Sequence, residues 1–284
     1  MAELKQPSHC LMLANKGGFA KAMEEKKYFN ENRVGMKNAL SSGLREVSYF
    51  RALVGILAMV AVIAFASTAP LIRVYREQQM LEYGYHTDQI FAALQSDTVA
   101  PFLPILAVLP FSAMYIDDVK SKFVRFFLIR TNNAIYPISR ILVCFLSGGI
   151  VIVTGTLLAW GVSALLFLPM EKAAEAPSES AALLLKTCVL LFLNGGLWAV
   201  LGMTMSTIME SKYIAYASPF IVYYLLVIFY ERYFPNTWLL YPKNWLNPEI
   251  WPLGIGSAAL FLLELTFLCG LVFYVRGKRR LEQL

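Results

Sequence analysis

Long apolar runs separated by short polar or basic stretches set the pattern of this chain. Six runs, approximately Ala52–Ile72, Thr98–Ile116, Ile141–Leu168, Ala181–Met209, Tyr213–Tyr230 and Pro252–Val275, are long enough to cross a membrane as helices, because a hydrocarbon core of about 30 Å needs about 20 helical residues. Their apolar character is continuous, with Gly and Ala embedded, whereas the strands of an outer-membrane barrel would be shorter and would alternate with period two. The expectation is an all-α integral membrane protein with six transmembrane helices. Residues 1–51 form a cytoplasmic lead, 52–275 the six-span domain and 276–284 a basic cytoplasmic tail.

The polar segments refine the pattern. Residues 1–35 are polar and mixed in charge, and Gly17-Gly18 interrupts their weak helical tendency. From Met36 to Phe50, Met36, Ala39, Leu40, Gly43, Leu44, Val47 and Phe50 share one helical face, opposite Lys37, Asn38, Ser41, Ser42 and Arg45. That spacing predicts an interfacial helix on the inner leaflet that feeds the first span. Pro101, Pro104 and Pro110 fall in the second span, each removing a backbone donor, so that span should kink or begin irregularly. In the fourth, Asn194-Gly195-Gly196 would let another helix approach closely, with Asn194 a possible lining residue of a path. Residues 231–251 interleave Tyr233, Phe234, Trp238, Tyr241, Trp245 and Trp251 with Pro235, Pro242 and Pro248, which predicts a broken segment dipping into the outer leaflet.

Composition agrees: 58% of the 284 residues are hydrophobic and 15% charged. Lys and Arg orient the chain. Nine lie in residues 1–51, five in 117–140, one in 210–212 and four in 276–284, against two, one and two in the three remaining loops. Loops rich in these residues stay inside, so both termini are expected in the cytoplasm. The net charge of +6 gathers at the ends of apolar runs, where topology and anionic lipid account for it without nucleic acid. The four cysteines are widely separated and read as small buried hydrophobes.

Catalytic machinery is thin. His9 and His86 are the only histidines, so no histidine-based metal cluster can be assembled. No GxSxG, HExxH or GxxxxGK[ST] occurs, so the chain has no phosphate loop of its own. Lys186, near the outer end of a span, can snorkel. Glu264, mid-span in "FLLELTF", must meet a partner, line a water-filled cavity or take up a proton; it either bonds another helix or lines a translocation path.

The segment between the second and third spans is basic, aromatic and able to form a helix. Asp117 and Asp118 precede it, placed to cap free N–H groups and to suit the helix dipole. Val119, Phe123, Phe126 and Phe127 cluster on one side, with Lys120, Ser121 and Arg125 around the rest and Val124 and Leu128 on the polar side; Pro137 is expected to end the segment. A helix apolar on more than one face suits a groove on another protein better than a flat membrane.

With its amphipathic N-terminal helix, six spans, the loop "DDVKSKFVRFFLIRTNNAIYPISR" and the aromatic break before the last span, the chain from about Met36 onward resembles an ABC type-2 permease, the membrane subunit of a bacterial ATP-driven exporter. In the family's loop pattern Asp118, Ser121, Arg125 and Arg140 occupy the places of the acidic residue, the Ser, the Arg and the basic residue opening the next helix, with Lys122 in place of a Gly. The resemblance implies that this loop is a coupling helix entering a cleft on a cytoplasmic ATP-binding-cassette ATPase, with Asp118, Ser121, Phe123, Arg125 and Phe126 at the contact. It further implies a second permease copy or similar chain as partner, ATP and Mg bound by the ATPase and no cofactor here. The expected place is the bacterial cell membrane, and the cargo an amphipathic or hydrophobic molecule such as an antimicrobial peptide, drug or lipid. A proton-coupled secondary transporter using Glu264 and a non-transporting assembly factor are the alternatives.

Overall fold

The computed structural model describes residues 35–45, 47, 49–77, 81–121, 135–172 and 179–282. Its helices are α1 (35–45), α2 (Tyr49–Glu77), α3 (Tyr85–Gln95), α4 (Phe102–Val108), α5 (Met114–Lys120), α6 (Ile135–Phe167), α7 (Glu179–Met209), α8 (Lys212–Ile228) and α9 (Ile255–Glu282). A π turn over Phe229–Tyr233 and 3-10 turns over Trp238–Leu240, Pro242–Leu246 and Pro248–Ile250 join α8 to α9. Among the described residues there is no strand, only an isolated bridge between Leu81 and Glu171.

Among the described residues five helices, where six were expected, are long and apolar enough to cross a membrane: Tyr49–Arg76, Ile135–Met170, Leu183–Met209, Lys212–Tyr233 and Ile255–Arg280. This is the architecture of a multi-pass membrane protein. The run expected as the second span, Thr98–Ile116, is instead split into α4 and α5 around a turn at 109–113. Pro104 and Pro110 supply no N–H to the helical ladder. At the break, Ser112 N–H donates to Val108 O at 3.3 Å and Met114 N–H to Phe111 O at 2.9 Å, a tightening from four-residue to three-residue bonds. Such irregular backbone survives at membrane depth when protein rather than lipid surrounds it. Leu106, Ala107, Val108, Phe111 and Ala113 are all buried.

Two further boundaries differ from expectation. Pro137, expected to end the segment before the third span, lies within the helix Ile135–Phe167, and that preceding segment is outside the described residues. The helix expected from Met36 to Phe50 is two elements: α1 stops at 45, and Tyr49 and Phe50 already belong to α2. Ala39 and Gly43 are the buried positions of α1, and Leu40 and Val47 pack on the core, whereas Leu44 and Phe50 are exposed. Packing against α6 near Val143, rather than a symmetrical apolar face, selects which of those residues are covered.

The core is built on α6 and α7, which cross at their glycines. A Cβ on Gly148 would lie 2.5 Å from Ala199 Cβ and 2.7 Å from Gly195 O, and one on Gly195 would lie 2.8 Å from Gly148 O. Only glycine allows that approach, which is how small residues hold membrane helices together. Residues 229–251 fold back over the bundle end. There Trp245 is buried, stacks on Trp198 of α7 with ring centroids 5.8 Å apart, and donates Nε1–H to Leu239 O at 2.7 Å.

The chain returns across the bundle between α3 and α5. His86 of α3 meets Glu171 just beyond the C-terminal end of α6, while Asp118 of α5 meets Arg140 near its beginning. The first and last helices end together: Gly43 of α1 lies against Arg140, and Gly277 of α9 against Tyr115 and Pro137. That end carries Arg45, Lys120, Lys212 and Arg276 to Arg280, so we call it the basic end and the opposite one the aromatic end.

Candidate functional site: an ion-pair clamp at the basic end

Helices α5 and α6 flank residues 122–134, and their side chains tie the two sides of that segment together. Asp118 lies in the last turn of α5 and is buried. Its Oδ2 lies 2.8 Å from Arg140 Nη2 and accepts a hydrogen bond from the Tyr136 hydroxyl at 3.0 Å. Arg140 is only 2% exposed. Its guanidinium sits 4.9 Å from the centroid of the Tyr136 ring and 5.6 Å from that of Phe111, so two π faces supplement the carboxylate. A planar guanidinium is suited to this combination of one ion pair and two ring contacts, which an ammonium would meet poorly.

Ser121 closes α5: its N–H donates to Asp117 O at 2.9 Å and its hydroxyl to Asp118 O at 3.2 Å. Helix α1 completes the cluster. A Cβ on Gly43 would stand 3.4 Å from Arg140 Nη1 and 2.9 Å from Val143, so α1 lies directly on the residue that holds α5.

The residues singled out from sequence therefore divide. Asp118, Ser121 and Arg140 come together at the clamp. Phe123, Arg125 and Phe126, with the expected coupling helix, lie outside the described residues. Asn194 is buried on α7, where it borders a small cavity with Trp198, Tyr223 and Lys243 beneath the aromatic cap. Glu264 is elsewhere, on the exposed face of α9, with no hydrogen bond or ion pair among the described residues.

Sequence reading missed Tyr136 and Phe111. Tyr136 stands four residues before Arg140, the spacing at which two helical side chains share a face, so a signal existed. It also missed a second clasp, at the aromatic end. The Glu171 carboxylate, 3% exposed, accepts the backbone N–H of His86 at 2.7 Å and of Gly84 at 3.2 Å, and lies 2.8 Å from His86 Nδ1. Burial pushes this carboxyl up, but the bonds from His86 and Gly84 outweigh it and hold the group below the usual carboxylate range. Asp88 nearby is pushed up by burial and by the Glu171 charge. Trp160 of α6 donates Nε1–H to Thr87 Oγ1 at 3.1 Å, and Ser163 donates to His86 O at 3.2 Å, so the first turn of α3 is fastened to α6. A further ion pair joins Lys243 to Asp97; burial depresses the ammonium, and the hydrogen bond to Asp97 more than restores it, leaving it raised.

Among the described residues no group of three or more His, Cys, Asp and Glu could hold a metal ion. What the clamp can do is mechanical: it fixes the ends of a basic, aromatic segment to the longest helix of the bundle. No protein-family model matches the chain, and no curated protein matches it either.

Proposed function

We propose that this protein is the permease subunit of an ATP-driven exporter of the ABC type-2 kind. Residues 122–134 dock a separate cytoplasmic ATPase, which binds ATP and Mg; a second copy or a similar chain completes the transporter. The basic end faces the cytoplasm of a bacterial cell, and the broken α4–α5 segment serves as the sixth crossing. The observation that carries this reading is the buried Asp118–Arg140–Tyr136 clamp. A loop that only rested on lipid would have no need of a rigid base, whereas a loop that receives force from a motor must be anchored to the helices it moves. The cavity of about 220 Å³ between α2, α3 and α6, bordered by Ile63, Leu71, Ile90 and Phe167, has a largely apolar lining, which favours an amphipathic or hydrophobic cargo. A carrier driven by protonation of Glu264 draws no support from a side chain on the outside of the bundle.

Phe123→Ala/Phe126→Ala tests the docking. Pull-down of an ATP-binding-cassette ATPase from membranes at matched expression should fall at least about tenfold, since each buried aromatic anchor contributes about 1 to 3 kcal/mol. Full retention of the ATPase and of transport would refute the role given to this segment.

A further inference from the structure

Glu264 is the feature of the molecule that its own fold leaves unexplained. It lies about 13 Å along α9 from Ile255 and about 24 Å from Arg280, at about 1.5 Å per residue, which places it deep in the membrane. One face of α9 is consumed by the bundle: Ala258, Leu262 and Phe273 are fully buried. Glu264 is on the other face, among Leu260, Leu263, Phe267, Leu268 and Leu271, all exposed. Lipid tails offer a carboxyl group neither donor nor opposite charge, and ionisable groups at this depth ordinarily face protein or water. Glu264 is too far from either end of the span to reach the headgroups, as Lys186 can nearer the end of α7.

We propose that this face of α9 is the contact with a second copy of this chain, and that the two Glu264 carboxyl groups meet across a two-fold axis. Two-fold symmetry sets a residue near the axis against itself. Among side chains a neutral carboxyl group is one of the few that satisfies itself: two face to face each donate one O–H to the other's carbonyl oxygen, which leaves no polar atom bare and no net charge in the membrane. Nothing else on the stripe supplies a donor or a charge, and the surrounding Leu and Phe side chains provide the packing that holds membrane helices together. Near the aromatic end Gly256 faces open space, with nothing within 4 Å of where its Cβ would stand, which lets two copies of α9 close up there. The inference rests on the proposed pairing of two permease copies for its second chain, and is independent of how the ATPase docks.

The test uses the full chain in native membranes, with Cys10, Cys144, Cys188 and Cys269 replaced by alanine. Single substitutions Leu260→Cys, Leu263→Cys, Glu264→Cys, Phe267→Cys, Leu268→Cys and Leu271→Cys are oxidised with copper phenanthroline, and Leu225→Cys on the exposed face of α8 is the control. Covalent dimer should peak at Glu264 with a helical period and exceed the control at least about tenfold. In parallel, subunit counting by photobleaching in vesicles of increasing lipid dilution should show the wild type and Glu264→Gln as dimers. Glu264→Leu, whose side chain is at home in lipid, should need about tenfold less dilution to separate, the equivalent of the one polar contact it removes. ATPase pull-down by Glu264→Leu should persist at wild-type level per permease chain. Wild-type dimers without cross-links along α9 would overturn this interface and leave the pairing of copies standing, with lipid or another protein covering the stripe. Cross-links along α9 with undiminished dimers of Glu264→Leu would overturn the carboxyl pairing. A monomeric wild type at every dilution would overturn both the interface and the pairing.

Discussion

Removing the carboxylate of the clamp is the sharpest perturbation the structure offers. Asp118→Ala leaves the Arg140 guanidinium, 2% exposed, without the carboxylate that lies 2.8 Å from its Nη2, while its two ring neighbours remain. Breaking a buried pair from one side costs about 3 to 5 kcal/mol, because a charge is stranded away from water. Contacts to the Tyr136 and Phe111 rings are present in wild type and variant alike and do not offset that cost. The expected loss is therefore about 3 to 5 kcal/mol. Asp118→Ala/Arg140→Leu removes both charges and should regain most of it, since a buried pair is often replaceable by apolar side chains. Unfolding of the detergent-solubilised protein, followed by tryptophan fluorescence, measures both variants; ATPase pull-down on the same samples measures docking. If the clamp anchors the docking segment, the double variant folds near wild-type stability yet couples poorly. Asp118→Ala within about 0.5 kcal/mol of wild type, or a double variant as unstable as the single, would refute the reasoning.

Tyr136→Phe keeps the ring under Arg140 but deletes the bond to Asp118 Oδ2, and should cost about 1.5 to 3 kcal/mol in the same unfolding assay. Gly148→Leu forces a side chain where even a Cβ would stand 2.7 Å from Gly195 O, so it should lower the thermal midpoint by many degrees or prevent folding, whereas Gly161→Leu, with nothing within 4 Å of its Cβ position, should be tolerated. Glu171 carries a carboxyl held below its ordinary value of 4.5, so its stabilisation is present above that pH and is lost as the pH falls through the lower, folded value; Glu171→Gln should be less stable at pH 7 and converge on the wild type in acid. Asn236→Cys, exposed on the aromatic cap, should react with an impermeant maleimide outside intact cells, and Ser121→Cys should not.

Uninterrupted apolar length proved readable, and five spans follow from it. The second span is not legible in the same way, because three prolines in an apolar run are equally compatible with a kinked helix and with an irregular start. Their neighbours Leu106, Val108 and Phe111 are covered by protein, and that cover lets the backbone break outright. The amphipathic face before α2 was visible as a period, but which of its residues are buried depends on where α1 lands on α6, a tertiary fact that puts Gly43 inside and Leu44 outside. Asp118 and Arg140 stood out as members of a loop pattern, and Tyr136 was legible from its spacing to Arg140. The Glu171 clasp was not legible, because its partner His86 is 85 positions away and half of its bonds come from backbone N–H groups that no residue type announces.

The two clasps acquire meaning from what lies between them. Along 81–121 the backbone loses helical continuity at 96–101 and again at 109–113, around Pro110, so hydrogen bonds along the helix cannot hold α4 and α5 in line. Side chains supply the order instead. Glu171 binds α3 to the aromatic end of α6, Asp118 binds α5 to its basic end, and at the break Ser112 donates its hydroxyl to Ala199 O of α7 at 3.0 Å. A continuous helix would transmit a push along its axis; a broken one strapped at both ends to α6 passes that push into α6 through Arg140 and leaves the break as the place where the strain is taken up. Helix α1 bears on the same arginine, so α1 and α5 meet at one side chain. In the exporter reading, residues 122–134 and α1 act on a common lever, which is the longest helix in the fold.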